Sequence, residues 1–444
     1  SAAAGGPAAA AAPDVVFHVL LALAAVIIVG RLLGRLLHWI GQPPVIGEVL
    51  AGIALGPSLL GRLAPAASAY ILPQSVAPIL SLVAQTGIVL YMFLVGLDLN
   101  ADFVRRRARA TVAISHASIV APFVLGAMLG LLLYPRLSTS DVSFTSFALF
   151  IGVAMSITAF PVLARILTDR GMSRTELGVM ALTCAAADDV TAWCLLALVV
   201  GVAQAKVVDA VMVAALTLTF IAGVFLVVRP LAIRLVDRSG SDPAPQALAL
   251  ALAGLLASAY TTEWIGVHAV FGAFLFGAVI PHDSSLARTL TGRMTAGVTV
   301  LLLPAFFAFT GMRTEVGLVS TTSEWLICGL IVLVATVGKF GGTLAAARLT
   351  GMGWHGAASL GVLMNTRGLM QLIVLNMGLD LGVISPTLFT MMVLMALATT
   401  IATTPALQML GTGAGQGAMQ YNPPSVDVRG TRLQPGLRPD LRQS

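Results

Sequence analysis

The chain has 444 residues, of which 58% are hydrophobic and 10% charged, and its mean hydropathy is +0.95. A soluble domain carries about 25% charged residues, so a water-soluble globular protein is excluded. The net charge of +6 does not indicate a nucleic-acid partner, because the basic residues lie in short loops between apolar runs, as the positive-inside rule expects.

The start, SAAAGGPAAAAAPD, has no basic segment ahead of an apolar one, so 1–13 reads as a trimmed flexible leader and not as a signal peptide. Apolar runs long enough to cross a bilayer then recur. The expected spans are 14–37, 43–60, 75–97, 110–134, 142–167, 176–203, 208–235, 244–261, 265–281, 295–312, 325–348, 354–378 and 384–408. Residues 409–444, rich in Gly, Pro, Gln and Arg without apolar periodicity, read as a disordered tail. An odd number of spans puts the termini on opposite sides. With the N-terminus outside, the outward loops hold only Arg62, Arg136, Lys206 and Arg313, and the inward loops and tail hold the other basic residues except Lys339 and Arg367. The bias selects an outer N-terminus and a cytoplasmic C-terminus. It also leaves Lys339 and Arg367, inside spans, as candidates for function.

Thirteen spans divide as six, a linker and six, so the second six start from the opposite side and form an inverted repeat. The fifth span then pairs with the twelfth. Each carries a polar interruption: Ser156-Ile157-Thr158-Ala159-Phe160-Pro161 in one, Asn365-Thr366-Arg367-Gly368 in the other. Proline lacks a donor and disfavours helix before it, and glycine permits unusual backbone angles. A single break is an ordinary kink. Two at matching positions, with acids nearby, point to a transport site where half-helix ends present carbonyls to cations.

Asp188 and Asp189 lie in the sixth span. A carboxylate at bilayer depth is costly unless paired, hydrated or protonated. Neighbours on a helix diverge by about 100°, so one can face a water-filled cavity while the other meets a partner, and Lys339 on the eleventh span is the partner the sequence offers. In the implied mechanism, deprotonated Asp189 binds a bare cation with help from the unwound backbone near Thr158. Protonation of the carboxylates of Asp188 and Asp189, whose protons belong to a set coupled with Lys339, expels the ion, and the empty, uncompensated site is reluctant to cross. Arg367 reads either as a neutraliser of a half-helix carbonyl end or as a substrate contact, with the first favoured. Glu48 reads as funnel lining or as a cap, and His268 as a core histidine or a pH sensor. Cys184, Cys194 and Cys328 form no CxxC pair and read as small buried hydrophobes. Gly338 and Gly342 suggest close helix packing. No histidine or cysteine cluster has metal-ligand spacing, and no cofactor is expected.

At these residues the chain resembles the monovalent cation/proton antiporters, in the branch of plant cation/proton exchangers, bacterial potassium efflux antiporters and sodium/proton antiporters. The resemblance covers 14–408. It rests on Gln42-Pro43-Pro44-Val45-Ile46-Gly47-Glu48, on the stretch from Ser156 to Leu167, and on Met364-Asn365-Thr366-Arg367-Gly368-Leu369 with Leu372-Ile373-Val374-Leu375-Asn376. It implies an all-α polytopic membrane protein with two six-helix inverted repeats and two crossed, broken helices in a core domain. The core would take 110–203 and 325–408, and a dimerisation scaffold 14–97 and 208–312. The resemblance also implies a homodimer, elevator-like core movement, Asp189 as the indispensable carboxylate, Asp188 paired to Lys339, and Thr158 near a bound Na+ or K+. Plant exchangers and potassium efflux proteins usually carry Asn-Asp or Gln-Asp at the dyad. Asp-Asp with a lysine resembles the electrogenic sodium/proton antiporters, which move two protons per cation. A gated cation channel and an organic-cation efflux role on the same scaffold are the competing readings. The first predicts flux without proton counter-movement. The second lacks an aromatic cage, since only Phe160 and Trp193 are near the key residues in sequence.

Overall fold

The computed structural model describes residues 11–98, 108–139, 142–172, 175–204, 207–239, 245–266 and 268–411. Inside some helices particular side chains, including those of Asp189, Trp193 and Cys194, lie outside the described residues. So do 1–10 of the expected leader and 412–444 of the expected tail.

The described elements are helical throughout. In chain order they are α1 (Ala11–His38), α2 (Pro44–Leu55), the short α3 (Leu60–Leu63) and α4 (Pro65–Ile71), α5 (Ala77–Asp98), α6 (Ala108–Leu137), α7 (Phe144–Ser156), α8 (Phe160–Asp169) and α9 (Glu176–Gln204). There follow α10 (Val207–Gly223) and α11 (Arg229–Ser239), α12 (Pro245–Ile265), α13 (Ala269–Val279), α14 (Ser285–Gly297) and α15 (Leu303–Met312), α16 (Thr322–Leu349), α17 (Trp354–Met364), α18 (Leu369–Asp380) and α19 (Pro386–Met409). One π-helical turn, Val224–Val228, joins α10 to α11, and another, Val298–Leu302, joins α14 to α15. Among the described residues nine segments are long and apolar enough to cross a membrane. The fifth, sixth, ninth and twelfth expected spans are not among them. Two of these are the broken spans, now α7/α8 and α17/α18. The sixth is α9, a 29-residue helix that carries the acid pair; several of its residues lie outside those described, so that Glu176–Ala185 alone is counted, as a shorter apolar stretch. The ninth is the short α13. The outward surface agrees with a lipid environment: Phe17, Leu20, Ile28, Leu32 and Leu36 of α1 are exposed, as are Trp39, Trp264, Trp325 and Trp354 near helix ends, where amphipathic rings favour the membrane interface.

Packing runs along two chains of neighbours. In one, α1 packs on α2, α2 on α15, α15 on α5, α5 on α13 and α13 on α12. In the other, α6 packs on α7, α9 and α16, while α16 also packs on α17 and α19. Small residues set the second contact. A Cβ on Gly338 would lie 2.7 Å from Pro122 Cα, and one on Gly342 would lie 2.7 Å from Ala117 O. Glycine at both positions therefore lets α16 approach the α6 backbone, which brings Lys339, between them, within reach of α9.

Where the two chains of neighbours meet, α2 presents Val45, Ile46 and Val49 across a narrow crevice to Arg367, Gly368, Leu372, Ala396, Leu397 and Thr400. Polar contacts bracket this apolar strip. At one end Gln42 Nε2 donates to Ile401 O (3.1 Å), and Thr404 Oγ1 donates to Gly41 O (3.1 Å). At the other, Arg313, just past α15, donates to Asn376 Oδ1 (3.0 Å) and pairs with Asp380 Oδ1 (2.5 Å), both on α18. Asn376 Nδ2 donates in turn to Thr310 Oγ1 (2.9 Å).

Candidate functional site

The break after α7 follows from local chemistry. Ser143 caps the start of α7, its hydroxyl accepting from Ser146 N. At the other end Pro161, in the first turn of α8, cannot supply the amide that would continue the ladder. The chain runs extended through Ile157 (φ −70°, ψ 134°) before α8 begins at Phe160. α17 ends at Met364 and α18 starts at Leu369. The two breaks cross: Ala159 N donates to Thr366 O at 3.1 Å. A Cβ on Gly368 would fall 2.6 Å from Val162 Cγ2, so glycine is needed there for close approach.

The carbonyl end of α7 faces two cations. Arg367, fully buried, donates from Nη2 to Met155 O (2.7 Å), from Nη1 to Gln371 Oε1 (3.0 Å), and more weakly to Ala154 O and Ile157 O (3.4 Å each). Lys339 Nζ donates to Ser156 O at 2.5 Å. These are the groups a half-helix leaves without intrahelical partners, at the end where its dipole favours positive charge. Arg367 is thus placed on helix carbonyls. Ser156 contributes its carbonyl, while its hydroxyl turns back to Gly152 O (2.7 Å).

Lys339 also pairs with Asp188 Oδ2 at 3.0 Å, and neither side chain has any exposure. Asp188 is held further by three hydroxyls. Ser115 Oγ donates to Oδ1 at 2.6 Å, Ser118 Oγ to Oδ2 at 2.7 Å and Thr158 Oγ1 to Oδ2 at 2.9 Å. Ser118 Oγ also lies 2.9 Å from Ser115 O, and Thr158 Oγ1 lies 3.4 Å from Met364 O. Each hydroxyl has one proton. In both cases the carboxylate is nearer and charged, so it takes the bond. Four donors therefore converge on the carboxylate, three on Oδ2 and one on Oδ1, against about two lone-pair sites on each oxygen.

Asp188, Thr158, Ser156 and Lys339 are thus brought together, with Arg367 beside them. Asn365 and Thr366 lie at the crossing. Thr366 Oγ1 bonds back to Leu363 O (2.8 Å), and the buried Asn365 Oδ1 has no hydrogen-bond partner among the described residues. Asp189 follows Asp188 on α9, but its side chain lies outside the described residues. Sequence reasoning did not single out Ser115 or Ser118, which are both fully buried. Elsewhere, His268 caps α13, its Nδ1 accepting from Val270 N at 3.3 Å. Glu48 lies on α2 toward Gly30 of α1. Cys184 and Cys328 are buried free thiols.

Two interrupted helices crossing beside a buried acid–lysine pair, in an all-helical membrane protein, define a secondary transporter of the discontinuous-helix class. Residues 21–410 match the transmembrane sodium/hydrogen exchanger family, and the chain belongs to that family. It is 43% identical to the Na+/H+ antiporter NhaS4 of Synechocystis, over 87% of this chain and 96% of the relative. It is 38% identical to cation/H+ antiporter 20 of Arabidopsis thaliana, over 89% of this chain but 48% of that protein. The chain therefore spans nearly the whole cyanobacterial relative and about half of the plant one. The fold is similar to that of the sodium proton antiporter MjNhaP1 from Methanocaldococcus jannaschii at a TM-score of 0.62, with 15% identity, 89% of this chain and 100% of that chain covered.

Proposed function

We propose that the chain exchanges a monovalent cation, Na+ or K+, for protons, with Asp189 as the carboxylate that cation and protons occupy in turn. The observation that carries this is the buried Asp188–Lys339 pair at the crossing of two broken helices, with Asp189 next in the chain. Asp188 is committed to four donors, so the second acid is the one left for the ion. Thr158 Oγ1 keeps lone pairs for a cation after giving its proton to Asp188. Asn365 Oδ1, buried without a donor among the described residues, is an oxygen that a cation can satisfy. Lys339 and Arg367, fixed on the α7 carbonyls, are supporting charges.

In this reading the protein is a homodimer in the cell membrane, with the N-terminus outside and the C-terminus cytoplasmic. The helices around α6, α7, α9 and α16 form the core, and those around α2, α5, α13 and α15 form the scaffold. The core moves along the apolar strip of α2, which supports sliding because contacts of that kind are not directional. Two protons per cation, one carried by Asp189 and one by the coupled Asp188–Lys339 pair, make the cycle electrogenic, so it couples to voltage at about 2.3 kcal/mol per charge per 100 mV.

The test is a proteoliposome assay with an internal pH-sensitive dye, under clamped potential, with Li+, Na+, K+ and Rb+ in turn. Cation entry accompanied by proton exit, stimulated by potential and lost in Asp189→Asn, is the expected result. Flux without proton counter-movement identifies a channel. Exchange indifferent to potential removes the two-proton stoichiometry, and full-rate exchange in Asp189→Asn removes the site assignment.

A further inference from the structure

We propose that Ser115 and Ser118 are positioning residues that keep Asp188 out of the ligand set of the transported cation, so that the ion meets a single carboxylate. This rests on the reading of Asp189 as the carrier. The two serines are one helical turn apart on α6, and both are buried beside Asp188. An asparagine at 188 would not need this arrangement, because half of its amide is a donor. A carboxylate does need it: Lys339, Thr158 and Ser118 all bind Oδ2, which leaves Oδ1 to Ser115 alone. Without Ser115, Oδ1 becomes a bare charged oxygen next to the residue that carries the ion. Hard cations of high charge density gain most from a second carboxylate. The serines therefore bear on which cations the site accepts, and they hold it to singly charged ones.

Ser115→Ala and Ser118→Ala, alone and together, are reconstituted beside the wild-type chain, Ser115→Thr, Ser118→Thr and Asp189→Asn. KM is measured for Li+, Na+ and K+, with Mg2+ and Ca2+ as competitors. Ser115→Ala and the double variant should shift the ratio of KM for Li+ to KM for K+ by about tenfold in favour of Li+, the size expected for removing one hydrogen bond to a charged group. Ser118→Ala, which leaves Lys339 and Thr158 on Oδ2, should shift it less. The alanine variants should also become sensitive to Ca2+ at concentrations the wild-type chain ignores, while the threonine variants, which keep the hydroxyl, behave as wild type. In an Asp188→Asn background the alanine substitutions should no longer alter the ratio, because the serines act through that carboxylate.

Unchanged KM ratios and no Ca2+ inhibition overturn the proposal. So does a shift that persists with Asp188→Asn, or a uniform rise in every KM with lowered thermal stability, which marks a purely structural role. If the double variant does not fold, Ser115→Ala alone decides, since it removes one donor and leaves three. Activity surviving in Asp189→Asn would instead sink the carrier assignment, separately from the serines.

Discussion

Removing Lys339 tests whether the acid–lysine couple is a coupled unit. Lys339→Met keeps most of the aliphatic stem and deletes the ammonium, while Lys339→Ala also deletes three methylenes. Two contacts of Nζ among the described residues, to Asp188 Oδ2 at 3.0 Å and Ser156 O at 2.5 Å, are fully buried, so screening by solvent gives no discount. Breaking a buried pair from one side costs about 3–5 kcal/mol. The three hydroxyls that remain on Asp188 hold Lys339→Met to the lower end, about 3 kcal/mol. Lys339→Ala should lose about 2 kcal/mol more, at about 0.8 kcal/mol per buried methylene. Asp188→Asn combined with Lys339→Met removes both charges and should recover at least about 1.5 kcal/mol relative to the sum of the single variants. Thermal unfolding of detergent-solubilised protein reads these differences at roughly 2 °C per kcal/mol for a long chain. The single Met variant should thus melt about 6 °C below wild type, and the double variant should melt well above the additive value. Four proteins whose stabilities add within about 0.5 kcal/mol would show that the two side chains do not act together and would refute this account.

Arg367→Gln should abolish exchange and destabilise the chain by about 3 kcal/mol through bare carbonyls at the end of α7. Arg367→Lys should not rescue transport, since a single ammonium cannot span the carbonyls the guanidinium fork reaches; full activity of the Lys variant would contradict this. Gly368→Ala puts a Cβ 2.6 Å from Val162 Cγ2 and should cost about 1–3 kcal/mol by overpacking while slowing exchange; Val162→Ala in the same chain should restore the rate. Arg313 bridges α15 to α18. If the core slides, joining Arg313→Cys to Asp380→Cys with a short bismaleimide, in a chain otherwise lacking cysteine, should stop exchange, and undiminished exchange in the joined protein would show that this contact never opens.

The breaks were legible because Pro161 and Gly368 act locally, through a missing donor and a missing Cβ, whatever surrounds them. The pairing of Lys339 with Asp188 was legible for a similar reason: a lone charge in an apolar run needs a partner, and the candidates were few. Ser115 and Ser118 were not. A hydroxyl in a membrane helix commonly bonds its own backbone, as Thr183 does to Val179 O (2.7 Å) and Thr191 does to Ala187 O (2.9 Å). Which serines turn elsewhere depends on the rotation of α6, which packing against α9 and α16 determines. The link from Arg313 to α18 joins residues 63 and 67 positions apart and has no local signature. The same holds for the π-helical turns at Val224–Val228 and Val298–Leu302, whose residues are ordinary apolar ones.

The strip of Val45, Ile46 and Val49, bracketed by hydrogen bonds near Gln42 and Arg313, has a mechanical consequence. Smooth greasy surfaces offer little friction, so resistance to displacement concentrates at the two brackets. These differ in kind: one consists of neutral bonds to main-chain oxygens, the other of a guanidinium on a carboxylate. Turnover speed should then be adjustable at either extremity, by substitutions that never touch the ion, much as a sash window is governed by its catches and not by its glass.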